Sequence, residues 1–231
     1  RDSQVFTAEM VQKMRDGVDG WGNTNWYDKV YGTGTRTHHN ISATGGSDRV
    51  RFFASIGYLN EDGNIDNYGY NRLNLRSNID AKLTKSLTFT LGVSGRIEKR
   101  DSPRYSADPN AWHNVPQQII RALPYVPDTY EYEGKTYNVS TPTASSPVAP
   151  VASINESGYS KSNYSYIQSN FSLKYDAPWL KGLSFKFQGA YDLTYNFSKI
   201  LSNPYEVMIM NLPTIESTSL TYYKGTDASG N

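Results

Sequence analysis

The 231-residue chain carries 23 Lys and Arg against 22 Asp and Glu, and a formal net charge of +1 offers no electrostatic footprint for a nucleic-acid partner. It contains no cysteine, which excludes a disulfide framework and a thiolate metal site, and no run of 18 apolar residues, which excludes a transmembrane helix. Nineteen Tyr, eight Phe and four Trp favour a β-rich fold.

The amino-terminal residues RDSQVFTAEM have none of the regions of a secretory signal, so we expect that a signal has been removed or that the chain begins within a longer protein. The segment TAEMVQKMRDG that follows predicts a two-turn helix, with Thr7 as the N-cap and Gly17 as the stop. Met10, Val11 and Met14 of this helix are expected to pack against other side chains rather than to contact a ligand.

Six later segments alternate between apolar and polar side chains, which is the pattern of β-strands with two different faces. They cover residues 35–44, 49–59, 70–83, 87–98, 164–175 and 183–196. The third alternates without a break: Leu73, Leu75, Ile79, Ala81 and Leu83 stand against Arg72, Asn74, Arg76, Asn78, Asp80 and Lys82.

Strand length and connection length favour a membrane barrel over a soluble sandwich. Strands of globular proteins run about 5 to 6 residues, whereas crossing a bilayer takes about 9 to 11 tilted residues, and most of the six segments reach the longer figure. Short connections alternate with long ones, of which residues 99–163 form the longest between strands, as in barrels with short turns on one side and long loops on the other. The sequence therefore predicts an all-β, antiparallel, up-and-down transmembrane β-barrel segment.

The polar positions of these strands are expected to line the lumen of that barrel. Arg72, Arg76, Asp80 and Arg96 are assigned to it, because a Lys or Arg facing the bilayer midplane costs roughly 2 to 4 kcal/mol. The alternative is that they form the solvated face of a soluble antiparallel sheet.

Residues 23–96 carry a resemblance to a known family. They contain an N-T-x-W-x-D-x-V motif, an H-N-x-S-x-x-G-G hairpin, the strand FFASIGYLNEDG and a Y-x-R-x-N-x-R-x-N-x-D strand. Together these resemble the SusC/RagA-like TonB-dependent outer-membrane transporters of Bacteroidota. The later segments PQQIIRALPYVPD and PWLKGLSFK fit the same family more loosely.

The resemblance implies a barrel of about 22 strands filled by an amino-terminal plug. It also implies a SusD-like lipoprotein lid and import of an oligosaccharide or peptide, with energy relayed through TonB. No plug, TonB-contacting segment or closing strand is recognisable in the sequence. Six strands fall short of the eight of the smallest closed membrane barrels, so residues 1–231 are expected to form one partial barrel domain in contact with outer-membrane lipid.

We expect substrate or partner contact in the 99–163 loop, because loops of this length are usually functional or disordered. Its aromatic side chains offer broad rigid surfaces for stacking on sugar rings or docking a lid. The candidates are Trp112, His113, Tyr125, Tyr130 and Tyr132. The alternative is that they pack the loop against its neighbours. Within the same loop, residues 116–122 predict a short helical turn with Ile119, Ile120 and Leu123 on one side, ended by Pro124.

We find no motif for an enzyme, a cofactor or a metal. The nucleophile elbow, the zinc-protease helix and the phosphate loop are all missing, and nothing places two carboxylates at glycosidase separation. Asn60, Asp62, Asn64 and Asp66 alternate like early calcium ligands, but the glycine and final glutamate of an EF-hand loop are absent. The favoured hypothesis is a non-enzymatic outer-membrane transporter. The alternatives are a soluble or surface-attached glycan-binding β-sandwich and, third, a β-rich hydrolase.

Overall fold

The computed structural model describes residues 6–104, 114–141, 149–214 and 219–226. In chain order its elements are α1 (Ala8–Asp16), α2 (Trp26–Val30), β1 (Thr35–Gly46), β2 (Val50–Asp62), β3 (Gly69–Lys82), β4 (Leu87–Pro103), α3 (Val115–Arg121), β5 (Thr129–Tyr132), β6 (Lys135–Ser140), α4 (Pro150–Asn155), β7 (Gly158–Asp176), β8 (Ser184–Ser202), β9 (Glu206–Asn211) and β10 (Thr221–Thr226).

Six strands form one antiparallel sheet in the order β1-β2-β3-β4-β7-β8. The predicted all-β, antiparallel, up-and-down fold is confirmed. The last strands are longer than predicted, since β4 runs to Pro103, β7 starts at Gly158 and β8 runs to Ser202. In β4 and β7 the sequence pattern fades because Lys99 and Asn163, which lie on the otherwise apolar face, are polar. In β8 it fades because Lys199 is on that face and the apolar Ile200 is on the opposite one.

The strand register collects the apolar side chains of all six strands on one surface, the apolar face. One row across the sheet runs through Ile41, Ile56, Leu75, Gly95, Ile167 and Leu193. This face is uncovered: Ile41 is 72% exposed and Phe187 is 64% exposed. Neither hydrophobic cluster of the described residues includes a side chain from it. A β-sandwich would bury such a face against a second sheet, so the sandwich alternative is not supported.

The strand connections differ sharply between the two ends of the sheet. At one end lie the three short ones, 47–49, 83–86 and 177–183. The first is closed by Ser47, whose hydroxyl accepts hydrogen bonds from the backbone N–H groups of Arg49 and Val50 at 3.3 Å. All the long connections leave the opposite end, which we call the loop end.

At the loop end the long connections fold together into a compact structure, the loop cap, made of the described residues in 6–34, 63–68, 114–141, 149–157 and 203–226. Four strands of the cap form a second sheet in the order β10-β9-β6-β5, in which β6 and β9 are parallel. The buried side chains of the cap core are Trp21, Trp26, Val30, Ile65, Val115, Ile119, Ala122, Val126, Tyr137, Val139, Ile154, Met208, Met210 and Leu212. Residues 114–141 and 149–157 of the predicted 99–163 loop are therefore part of a folded unit with its own core.

Hydrogen bonds to residues 123–126 hold the segment before β1 in the cap. The backbone N–H of Gly22 donates to the Tyr125 carbonyl at 2.8 Å, and the Trp26 indole donates to the Leu123 carbonyl at 3.0 Å. A Cβ on Gly22 would lie 2.3 Å from the backbone of Val126, so only glycine fits this close approach. The Trp of the N-T-x-W-x-D-x-V motif thus anchors the cap rather than the barrel wall.

Two predicted helices are present. In α1 the Thr7 hydroxyl accepts from the Met10 N–H at 3.2 Å, and Gly17 ends the helix in the left-handed region at φ 64°, as predicted. In α3 the expectation that Ile119 and Ile120 share a side was wrong. Ile119 is 5% exposed and Ile120 is 80% exposed, because successive helical residues point about 100° apart.

An ion pair links α2 to the strand β5 region of the cap. Lys29 Nζ lies 2.6 Å from Asp128 Oδ2. Partial burial tends to raise the pKa of Asp128, but the hydrogen bond and charge of Lys29, together with two backbone N–H groups, outweigh it and hold the pKa below its ordinary value. The Lys29–Asp128 ion pair therefore stabilises the fold at neutral pH, and this stabilisation is lost as the pH falls through the lowered pKa of Asp128.

We expect Asp128→Asn to speed amide exchange in α2 at pH 7 by an amount equivalent to about 0.5–1 kcal/mol, because the pair is partly exposed. The difference from the natural protein should vanish well below pH 4. Hydrogen exchange at both pH values measures it, with the exposed Glu131→Gln as the control. A difference that persists unchanged in acid would contradict the ion-pair explanation.

Candidate functional site

The four predicted lumen residues lie on one surface of the six-stranded sheet, opposite the apolar face, which we call the polar face. Arg72 pairs across with Glu98, Arg76 with Ser94, and Asp80 with Thr90. Arg72 and Arg96 lie near the loop end, while Asp80 lies about 27 Å from Arg72 along β3 at the usual rise per residue. The four residues share a face but do not form one cluster.

The polar face as a whole is more basic than acidic. Its strand positions carry Arg36, Arg51, Arg72, Arg76, Lys82, Arg96, Arg100, Lys174 and Lys186 against Glu61, Asp80, Glu98, Asp176 and Asp192. This excess does not appear in the net charge of the chain, because acidic residues elsewhere balance it. The face therefore favours anions over cations.

The most concentrated group of charges on the polar face surrounds Glu98, whose side chain is only 6% exposed. Arg96 Nε lies 3.0 Å from Glu98 Oε1, and Arg100 Nη2 lies 3.1 Å from Glu98 Oε2. The three side chains are at positions i, i+2 and i+4 of β4, so they point to the same side. Two guanidinium groups hold the carboxylate from both flanks.

Tyrosine rings from the neighbouring strands pack against the same two arginines. The Arg96 guanidinium carbon lies 4.4 Å from the centre of the Tyr166 ring. That of Arg100 lies 5.2 Å from the Tyr164 ring and 5.6 Å from the Tyr70 ring. Of this group, sequence reasoning identified Arg72 and Arg96 and missed Glu98, Arg100 and the tyrosines. The missed residues occupy even-numbered strand positions, as Arg72 and Arg96 do, and this could have placed them on the same face. The sequence alone does not give the register that brings residues of three strands together.

The aromatic candidates of the 99–163 loop have different surroundings. Trp112 and His113 lie outside the described residues. Tyr125 packs between Phe6 and Trp21, at ring-centre distances of 5.8 and 6.2 Å. Burial raises the pKa of its phenol.

Tyr130 and Tyr132 lie on the β5–β6 hairpin of the cap. Tyr130 stacks on Tyr222 at 4.0 Å, and burial together with this neighbour raises the pKa of Tyr222. Tyr132 is 40% exposed and lies beside the hairpin tip, where Glu133 and Gly134 both have positive φ, as a tight two-residue turn requires. Of the three described candidates, Tyr132 is thus the one with substantial free surface.

A cavity of about 600 Å³ lies where the loop cap meets the ends of β2, β3, β4 and β7. Asp62 and Asp66 from the suspected calcium segment are among its lining residues, along with Asp101 and Lys161. Asp62 accepts a hydrogen bond from the Thr35 hydroxyl at 2.8 Å, and Asp101 lies 3.8 Å from Lys161. Among the described residues, no three His, Asp or Glu side chains are arranged to hold a metal ion.

Aromatic side chains lie at both ends of the apolar face. Tyr58 and Tyr195 fall in the same row near the loop end, joined through the register of the intervening strands. At the turn end Tyr175 and Trp179 pack with ring centres 5.9 Å apart, and Trp179 is 69% exposed. The apolar surface is thus bounded by aromatic rings above and below.

A long antiparallel up-and-down sheet with one apolar and one polar face, short turns at one end and a loop cap at the other defines the class as the wall of a β-barrel. No protein-family model matches the chain. Among curated proteins, it is 30% identical over 100 residues to TonB-dependent receptor P3 of Formosa agariphila, a match covering 43% of this chain and 10% of that protein. TonB-dependent receptor P26 of the same organism is 27% identical over 86 residues, covering 37% of this chain and 9% of that protein.

Solved structures show the same fold. A chain of the RagAB peptide importer in its open-open state matches 96% of this chain with a TM-score of 0.59 and 18% identity, and a chain of the closed-closed state matches 84% with a TM-score of 0.55. This chain spans 26% and 22% of those chains. The sequence and fold similarities together confirm the resemblance to SusC/RagA-like TonB-dependent transporters. No helix in the described part of the chain is long and apolar enough to cross a membrane.

Proposed function

We propose that this chain forms part of the wall and outer loops of a TonB-dependent outer-membrane importer that takes up an oligosaccharide or a peptide. In this proposal the apolar face contacts lipid, the polar face lines the lumen, and the loop cap faces the outside of the cell. The activity is transport without chemical conversion of the cargo.

The observation that carries the proposal is the uncovered apolar face and its height. On β4 the face runs from Leu87 to Ile97. At about 3.3 Å per residue and the usual barrel tilt of about 40°, this corresponds to about 25 Å, which is the height of the apolar band of outer-membrane barrels. Above it the same face turns polar at Lys99 and Asn163, as a surface leaving hydrocarbon must.

The aromatic ends of the apolar face support the same orientation. Amphipathic rings prefer the level of the lipid headgroups, where one side is apolar and the hydroxyl or indole N–H reaches water. Tyr58 fits this environment because its hydroxyl donates to Asn71 at 2.9 Å, at the point where the face becomes polar. The Tyr58 row is proposed as the outer girdle, and Tyr175 with Trp179 as the periplasmic one.

The loop cap is proposed as the part that meets the cargo and a SusD-like lipoprotein lid. A structure with its own core can present side chains rigidly, which reduces the entropy lost on binding. Tyr132 on the hairpin tip remains a candidate contact, as do Trp112 and His113, whereas the packing of Tyr125 and Tyr130 suits them to support it. TonB is proposed to act through a plug.

The test is to fractionate cells of the natural source and to determine the intact mass of the native protein in each fraction. We expect an outer-membrane polypeptide, much heavier than the 26.0 kDa of this chain, that requires detergent and co-purifies with a lipoprotein. A species near 26.0 kDa that stays soluble without detergent would overturn the proposal.

A further inference from the structure

The charged group around Glu98 has more positive charge than its own carboxylate compensates. Arg96 and Arg100 both pair with Glu98, and Arg72 lies directly opposite Glu98 on β3. Three guanidinium-bearing side chains therefore lie at neighbouring positions around one carboxylate, and two of them pair with it. The Nε atom of Arg72 is buried and has no hydrogen-bond partner among the described residues. The charged group around Glu98 therefore contains a buried donor whose hydrogen bond is not made.

Both outer arginines of this group remain open on one side. The Arg96 side chain is 46% exposed and that of Arg100 is 59% exposed, although each is held by Glu98 and by stacking on tyrosine. A guanidinium group has five N–H donors in a fixed fork, and the ion pairs to Glu98 engage only Nε of Arg96 and Nη2 of Arg100. Donors that are held in place but not fully used are suited to binding an external oxyanion.

We propose that Arg96 and Arg100, oriented by Glu98, Tyr164 and Tyr166, form a subsite in the outer half of the lumen for a carboxylate group of the cargo. The carboxylate would pair with the free edges of the two guanidinium groups, and the rings of the tyrosines would contact the apolar or ring portion next to it. This inference rests on the proposed function, since it places the polar face in the lumen, and it adds the substrate class: cargo that carries a carboxylate.

Two kinds of cargo present the same group, an acidic peptide and a uronic-acid oligosaccharide. The test therefore uses two probe pairs with the purified full-length natural protein in detergent. One pair is a peptide containing two Glu residues, acetylated at its amino terminus and amidated at its carboxyl terminus, and the same blocked peptide with Gln. The other is a galacturonic-acid tetramer and the neutral galactose tetramer. The affinity of each is measured at low and at high salt.

We expect the natural protein to bind the acidic member of one pair about tenfold more tightly than the neutral member, and this preference to weaken in high salt. The pair that shows the preference identifies the source of the carboxylate. The double variant Arg96→Gln, Arg100→Gln should lose the preference while its affinity for the neutral member stays within about twofold. Arg51→Gln, at the turn end of the same face, is the matched control and should keep the preference.

No preference for the acidic member in either pair, or a preference that survives the double substitution, would overturn the inference. Heat-modified gel mobility checks that each variant is a folded barrel, and Arg100→Lys, which keeps the charge, should retain an intermediate preference. Failure here is distinguishable from failure of the proposed function. A detergent-requiring outer-membrane protein without charge preference refutes only the subsite, whereas a soluble protein refutes both.

Discussion

Leu91→Arg in the full-length natural protein is expected to abolish its accumulation in the outer membrane. Leu91 lies in the middle of the apolar face, in register with Ile79 on one side and Phe171 on the other. An arginine at the midplane of a lipid-facing surface costs about 2 to 4 kcal/mol, and a long side chain at this depth cannot easily reach either interface. The amount of heat-modifiable barrel in outer-membrane fractions measures the effect.

Thr90→Arg is the matched control, because it places the same side chain one residue away on the polar face. Thr90 lies opposite Asp80, and its hydroxyl donates to the Asp80 carboxylate at 2.8 Å. Arginine here would exchange that hydrogen bond for a charged pair, so assembly should remain near the natural level. The assignment of the apolar face to lipid would be contradicted if both variants failed to accumulate in the outer membrane, or if both accumulated at the natural level.

The barrel wall could be predicted because one of its faces is apolar and the other is polar. A strand between lipid and water must alternate at every residue, so the pattern is readable wherever both solvents are present. The six strands of the wall show this alternation and could be predicted from it. Their outer extensions could not be predicted from it. In β4 and β7 the residues beyond Ile97 are mostly polar on both faces, and in β8 the apolar Ile200 lies on the polar face, so the two faces no longer differ.

The loop cap could not be predicted in the same way. Its strands are short, and its core joins segments as distant as Trp21, Val126 and Met208, which no local pattern connects. The sequence offered the tyrosines of the 99–163 loop as exposed ligand contacts, but the packing of Tyr125 and Tyr130 depends on partners from the chain termini. The same limit applies to the Glu98 group, whose members come from three strands.

Ile119→Ala should loosen the loop cap while leaving the barrel wall intact. Ile119 is 5% exposed within the cap core, and removing a buried isoleucine side chain to alanine costs about 2 to 5 kcal/mol, depending on how far the cavity collapses. Among the described residues, the hydrophobic cluster that contains Ile119 includes no side chain of the wall strands. We therefore expect faster proteolysis and amide exchange in β6 and β9, with heat-modified mobility unchanged.

Ile120→Ala is the control on the same helix. Ile120 is 80% exposed, so its truncation should change stability by less than about 0.5 kcal/mol, and alanine has the better helix propensity. If both variants loosened the cap equally, the orientation of α3 would be wrong. If Ile119→Ala also disrupted the wall, the cap would not be an independent unit. If Ile119→Ala loosened the cap, left the wall intact and abolished uptake of cargo, the result would place cargo capture in the cap.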